Sequence, residues 1–546
     1  MAADTSLEAL KEQAMTQVPI TALDYSVVLP VVICFVFGAG LLMIRKSVAW
    51  HPLVALSGLA LLFLADLAVL YRVATGGTVT MMMGGWIPPF GIAFTADLMG
   101  ALFLVASGFV ALCCGIYSVA SVSRVERRYG FFPLLFIMMA GVSGAFVTGD
   151  VFNLYVWFEV FLIASFGLLI LGSEREQLDG ATKYCFLNLV GTTFFLIGTG
   201  YLYGIFGTLN MADIARKAAA MEDTAALFTL ASIYLVSFAM KAAAFPLNAW
   251  LPASYHTPRF VVSALFAGLL TKVGVYAAIR INLMIFPPER ADLSLVFAWI
   301  AGLTMLVGGL GALAQTDLRR LLNYVVIAGI GTIFVALAMP VPLPGGEIAG
   351  SALSVGLSGA IFYALHSIIV MTGLYLAAGV AAHLAGTSSL HEMGGLWRNH
   401  PLFAAMMLIL LFAVSGLPPF SGFWPKVALV RASIAADMPW LAATVLFSGF
   451  LLTIASARVF ALGFWRSLPA ASAPAFGRTD RQEIIYERFT AAGPDKAWSA
   501  VPLLALILVV IAAGVWPQWL LDLTDLAAQG VIDPGSYISS VFGGLE

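Results

Sequence analysis

The sequence predicts an all-α polytopic membrane protein of about fourteen transmembrane helices, built on two inverted five-helix repeats with broken seventh and twelfth helices. Three observations predict it. Hydrophobic residues make up 61% of the 546 and charged residues only 10%, with a mean hydropathy of +0.97, a balance that belongs to bilayer-embedded chains. Apolar windows long enough to cross ~30 Å of hydrocarbon recur along nearly the whole chain, with no soluble domain between them. Two of these windows, "FAMKAAAFPLNAWLPASYHTP" and "FAVSGLPPFSGFWPKVAL", combine a lysine with prolines that remove backbone donors and break a helix.

In order, the spans lie near 26–44, 53–72, 98–119, 131–148, 151–171, 183–205, 227–250, 260–281, 293–313, 321–339, 350–382, 401–434, 440–464 and 499–521. They are continuously apolar and lack the alternation of lipid-facing strands, so helices fit and a barrel does not. Residues 1–25 form a polar N-terminal extension without the basic segment, apolar run and cleavage site of a signal peptide. Residues 26–130 hold the first three transmembrane helices, 131–281 the first five-helix repeat and 293–465 the second. An odd number of helices per repeat turns the second copy upside down. Residues 466–498 read as a cytoplasmic loop with a short surface helix at "RQEIIYERF", and 499–546 as the last transmembrane helix and a C-terminal tail.

One set of alternate loops carries 16 Lys and Arg, among them Arg45, Lys46, Arg124, Arg127, Arg128, Arg319 and Arg320, against 7 on the other side: Lys11, Arg72, Arg216, Lys217, Arg280, Arg290 and Arg431. By the positive-inside rule both termini lie outside the cytoplasm. A net charge of −2 and the lack of a long basic run argue against nucleic acid. Cys34, Cys113, Cys114 and Cys185 fall in apolar runs without zinc or disulfide spacing. No metal, flavin or quinone motif is present, so no cofactor is expected and the chain does not read as an enzyme.

Four basic residues remain, Lys241, Lys272, Lys426 and Arg458, all within spans, together with Glu159 in "DVFNLYVWFEVFLIASFGLLIL". A charge at the bilayer centre costs at least ~2.5–3.5 kcal/mol, so such residues face protein or water and mark ion pathways. One Glu159–lysine pair could simply hold helices together. Three separated lysines exceed that need and point to a proton relay. Lys241 and Lys426 are expected at matching places beside the breaks of the two repeats, where unwound backbone requires burial in protein or internal water. Glu159 is expected to pair with Lys241, and opening of the pair to free the amine's proton for Lys272 and then Lys426. His366 in "IFYALHSIIV" can relay through water or serve as a hydrogen-bonded packing residue. Three auxiliary candidates follow. Asp66 either pairs with a neighbouring helix or reaches water. Arg458 either stands where Lys272 stands in the first repeat or snorkels to the surface. Lys183 beside Asp179 reads as a surface pair rather than a relay member. Asp150, apart from these three, reads as a helix N-cap rather than the mouth of an input path.

"TGDVFNLYVWFEVFLIASFGLLILG", "KAAAFPLNAWLPASY", "VVSALFAGLLTKVGVYAAIR" and "SGLPPFSGFWPK" resemble the antiporter-like proton-translocating subunits. That superfamily includes the L, M and N subunits of respiratory NADH:quinone oxidoreductase and the A and D subunits of Mrp-type cation/proton antiporters. "GDVFNLYVWFEV", "LYGIFGTLNMADIA" and "VSALFAGLLTKVG" are most similar to the D type. The resemblance runs from about Ser26 to Leu521. It implies a fourteen-helix fold in a bacterial inner membrane, other membrane subunits as partners, and protons exchanged for sodium or another monovalent cation. It also implies that Glu159, Lys241, Lys272 and Lys426 match the relay residues of helices five, seven, eight and twelve. The chain departs from the family in its long polar extension and in Ala253, where many relatives carry an acid. A proton-pumping subunit of a redox-driven complex, or a scaffold whose charges only hold helices together, are the alternatives.

Overall fold

The computed structural model describes residues 15, 24–221, 225–341, 348, 350–467 and 497–543. Residues 1–14 and 16–23 of the polar extension, and "RQEIIYERF" with the rest of 468–496, lie outside the described residues. The apolar windows are helical because a chain without water must bond its own N–H and C=O groups. Eleven of these helices have 18 residues or more and three are shorter.

Helices α1 (Leu29–Met43) and α2 (His51–Gly76) lead into an antiparallel hairpin, β1 (Val79–Met82) and β2 (Ala93–Ala96), and then α3 (Leu98–Ser121). The segment expected as the first repeat comprises α4 (Phe131–Val147), α5 (Val151–Leu169), α6 (Arg175–Phe206), α7 (Ala225–Ala242) and α8 (Phe260–Met284). The segment expected as the second comprises α9 (Ser294–Ala314), α10 (Leu318–Ala338), α11 (Ala352–Ala385), α12 in two pieces (Pro401–Ser415 and Phe423–Ala435) and α13 (Pro439–Trp465). The chain then forms α14 (Ala497–Val515), α15 (Gln518–Ile532) and α16 (Gly535–Phe542).

Helix starts follow local chemistry. Pro30, Pro52, Pro401 and Pro439 occupy first-turn positions where no donor is lost. Asp97 accepts from Gly100 N at 2.9 Å, Asp150 from Asn153 N at 2.7 Å and Asp317 from Arg319 N at 2.9 Å, each capping a helix.

The breaks in α7 and α12 are built alike. After α7 the chain turns through left-handed Ala243 (φ 61°), and after the first piece of α12 through left-handed Gly416 (φ 83°). The next residue bonds back across the helix end in both, Ala244 N to Ala239 O at 2.8 Å and Leu417 N to Phe412 O at 3.1 Å, the Schellman pattern. Helix resumes at Trp250–Ser254 and at Phe423–Ala435. The last helix of each of these two segments also carries one π turn, Phe266–Leu270 in α8 and Ala461–Trp465 in α13.

This register corrects the expectation of matching lysines. Aligning Ala243 with Gly416 sets Lys241 against Val414 and Lys426 against Ala253, so Lys241 precedes its break and Lys426 follows its own. Proximity to proline suggested equivalence; only the left-handed residue defines the register. Two boundaries also change. The window at 401–434 is two helices, and the last span ends at Val515 rather than near 521, because Pro517 starts a separate helix. Helices α8, α10 and α11 form the centre: in their most apolar 18-residue windows, 100%, 94% and 83% of residues are buried.

Candidate functional site

Lys241 lies near the end of α7 with 4% of its surface exposed. The break beside it leaves backbone groups that distant side chains satisfy. Trp250 Nε1 donates to Met240 O at 3.0 Å, and Thr304 Oγ1 of α9 accepts from Phe245 N at 2.9 Å. Gly274 of α8 lets that helix touch the lysine's own backbone, since a Cβ there would stand 2.9 Å from Ala242 N and 3.1 Å from Lys241 Cβ. The Lys241 ammonium has no hydrogen-bond partner among the described residues and sits 5.7 Å from the Phe158 ring centre on α5.

Glu159 follows Phe158, close enough to act electrostatically on Lys241. The two do not form an ion pair within 4.0 Å, and Glu159 Oε1 is buried without a partner among the described residues. The expected pair is therefore open in this structure. The carboxylate lies on the half-buried face of α5, within electrostatic range of Cys185 on α6.

Lys272, wholly buried on α8, donates to Ala267 O at 2.7 Å. Ala267 belongs to the π turn Phe266–Leu270, a local irregularity that frequently occurs at functional sites. The same turn packs on α11, where a Cβ at Gly268 would stand 3.3 Å from Ile368 O. Two residues before Ile368 comes His366, 5% exposed, whose Nδ1 is 2.8 Å from Ser421 Oγ in the α12 break. Its Nε2 has no partner among the described residues, and both Lys272 and Lys426 lie within electrostatic range of the ring.

Lys426, 9% exposed, curls back over Gly416 and donates to Ser415 O at 2.7 Å. That carbonyl ends the first piece of α12, where a cation is favoured by the helix dipole. Four basic side chains thus run through the centre from the α7 break, through α8 and α11, to the α12 break. Among the described residues each is buried with at most one hydrogen-bond partner, which leaves donor positions that internal water can fill.

The auxiliary candidates stand apart. Arg458 donates to Leu313 O, and to Gln315 O at 2.7 Å, and so holds the end of α9. Lys183 pairs with Asp179 at 2.6 Å on the exposed surface. Asp66 is wholly buried between α2 and α3, Oδ2 against Gly108, with neither oxygen hydrogen-bonded among the described residues. Asp150 caps α5, and burial pushes its carboxyl up to about 6. Sequence reasoning missed Ser421, Thr304, Trp250 and the freed carbonyls of Ala267 and Ser415. The glycine two residues after Lys272 and the "SG" ahead of Lys426 were the available signals of close approach.

Residues 148–452 match the family described as "NADH:quinone oxidoreductase/Mrp antiporter, TM". The chain is 35% identical over 516 residues to the D subunit of the Na(+)/H(+) antiporter of Alkalihalophilus pseudofirmus, covering 94% of this chain and 99% of that protein. It is 32% identical to the protein of the same name from Bacillus subtilis, with 94% and 99% covered. Among solved structures, a chain of the Mrp complex from a Dietzia species superposes with a TM-score of 0.84 at 30% identity, covering 96% of this chain and all of that one. A chain of respiratory complex I from Thermus thermophilus shares the fold, with a TM-score of 0.76 at 24% identity over 93% of this chain. The chain is a multi-pass membrane protein and belongs to the NADH:quinone oxidoreductase/Mrp antiporter transmembrane family.

Proposed function

We propose that this chain is the proton-moving subunit of a multisubunit monovalent cation/proton antiporter, with sodium as the exchanged cation and Lys241, Lys272, His366 and Lys426 as the proton carriers. One observation carries the reading: Lys241, Lys272, His366 and Lys426 are all buried, Lys241 beside the α7 break and Lys426 beside the α12 break, with Lys272 and His366 on α8 and α11. Glu159 gates the row by closing on or releasing Lys241. A charge pair at ~4 Å in an effective dielectric near 20 gains ~4 kcal/mol before desolvation, enough to shift where a proton rests. The names of the relatives support antiport over a redox pump, since the likeness to complex I extends to the fold alone.

The two repeats span residues 131–281 and 293–465, and the loops rich in Lys and Arg face the cytoplasm. Supporting this orientation, the cations on the opposite side have structural duties. Arg72 pairs with Asp24 at 2.6 Å, Arg216 and Lys217 with Asp213 at 3.0 and 2.8 Å, and Arg280 with Asp97 at 2.6 Å. Arg290 donates to Leu337 O at 2.8 Å and Met339 O at 2.7 Å. Among the described residues, five of these cations are thus held by carboxylates or carbonyls.

Lys426→Arg tests the reading. A lysine that only caps Ser415 O can be replaced by arginine, which keeps the charge; a carrier cannot, because arginine does not release its proton. The expected result is normal assembly with sodium-dependent proton exchange in inverted vesicles reduced to the level of Lys426→Ala. Near-normal exchange in the arginine variant would remove Lys426 from the relay.

A further inference from the structure

The face of α8 that carries Lys272 continues outward at four-residue spacing through Tyr276 and Arg280, both buried. Tyr276 Oη donates to Phe146 O at 2.9 Å and accepts from Arg280 Nη2 at 3.1 Å. The same guanidinium bonds Asp97 Oδ1 at 2.6 Å and lies between two rings, 5.4 Å from the centre of Tyr276 and 5.3 Å from that of Tyr537.

Tyr537 belongs to α16, the short helix that closes over this spot. Its hydroxyl meets Thr95 at Gly149, where a Cβ would stand 2.8 Å from Thr95 Oγ1 and 3.1 Å from Tyr537 Oη. Two other contacts hold α16: Ser540 Oγ is 2.8 Å from Thr80 Oγ1 of β1, and Phe542 lies 4.6 Å from the Arg216 guanidinium. One face of a short helix, bearing Tyr537, Val541 and Phe542, thus covers the Arg280 end of the α8 face that carries Lys272, while Ser536 and Ser539 are exposed.

We propose that Tyr276, Arg280 and Asp97 line the outlet through which Lys272 exchanges protons with the outer aqueous phase, and that α16 is a cap that lifts from this outlet in each transport cycle. The proposal rests on Lys272 being a relay member and on the membrane orientation proposed above. With α16 seated, Tyr537 and the Thr95–Gly149 backbone exclude water from the Arg280–Asp97 pair. With α16 raised, water reaches Tyr276 and carries the proton from Lys272 to the outside, while Arg280 stays paired with Asp97 as a fixed charge.

The test pins the cap. Thr80→Cys and Ser540→Cys replace two hydroxyls at hydrogen-bond distance in a chain whose four native cysteines are substituted, assembled in the full complex. Oxidation should lower sodium-dependent proton exchange by about tenfold or more, as expected when an obligatory lid is locked, and reduction should restore it, with neither single variant affected. Full exchange in fully cross-linked protein would overturn the cap. Thr95→Cys gives a second reading: labelling by a membrane-impermeant maleimide from the outside should be slow at rest and faster during turnover, and equal rates would also overturn it. Lys272→Met separates this idea from the relay. If that variant still exchanges protons, the relay and its outlet both fall. If it is inactive while the cross-linked protein is active, only the cap falls.

Discussion

Lys272→Met should leave a protein at least as stable as the original and unable to exchange protons. The ammonium has three donors, yet Lys272, wholly buried, has one protein acceptor, Ala267 O at 2.7 Å. Methionine keeps a flexible side chain of similar length and fills the same space. Losing the bond leaves a buried carbonyl without its donor, which costs ~1–3 kcal/mol. Against this, removing a buried ionisable group recovers several kcal/mol of desolvation, and apolar replacement of buried charges is often neutral or stabilising by ~1–4 kcal/mol. The sum is a stability unchanged or raised, hence a melting midpoint level or higher by about 1–3 °C in a chain of this size. The assay pairs thermal unfolding of the purified complex, followed by tryptophan fluorescence, with exchange in vesicles normalised to complex content. A midpoint several degrees lower together with retained exchange would make Lys272 a structural pin of the π turn and refute the reasoning.

Three further outcomes are expected. Gly274→Ala brings a Cβ within 2.9 Å of Ala242 N and 3.1 Å of Lys241 Cβ, so it pushes α8 off the α7 break; overpacking of this kind costs ~1–3 kcal/mol, and exchange measured in vesicles should fall further than assembly yield does. Glu159→Gln and Lys241→Ala should each abolish exchange with the complex still assembled on native gels, because neither group forms a close ion pair whose loss would strand a charge. Asp150 has its carboxyl pushed up to about 6 by burial, above its unfolded value, so the folded chain holds that proton more tightly and stability falls as pH rises from about 4 to 6. Asp150→Asn, an equally good cap, should flatten that slope and raise stability above pH 6 by an amount on the order of 3 kcal/mol, read as the melting midpoint against pH; an unchanged slope would show that Asp150 does not titrate there.

Much of this was legible in the sequence because a bilayer leaves few choices. Without water, the apolar windows must be helices, and a charge within one of them, such as Glu159, Lys241, Lys272 or Lys426, must have a use that offsets its burial. Asp150 marked a helix start, since a carboxylate ahead of an apolar run satisfies free N–H groups, while the equivalent caps at Asp97 and Asp317 came from the structure. The tertiary structure decided what lies across gaps in the chain. Arg458 was ambiguous until the end of α9 came to rest against it. Lys241 and Lys426 looked equivalent until Ala243 and Gly416 set the register of the two breaks. The α8 carbonyl that holds Lys272 lies in a π turn of five residues, for which the local sequence carries no marker. The physical reason is the same throughout. Solvent and backbone bonding act residue by residue and can be read in order along the chain, whereas the partner of a buried polar atom is set by which helices meet, and that is a property of packing.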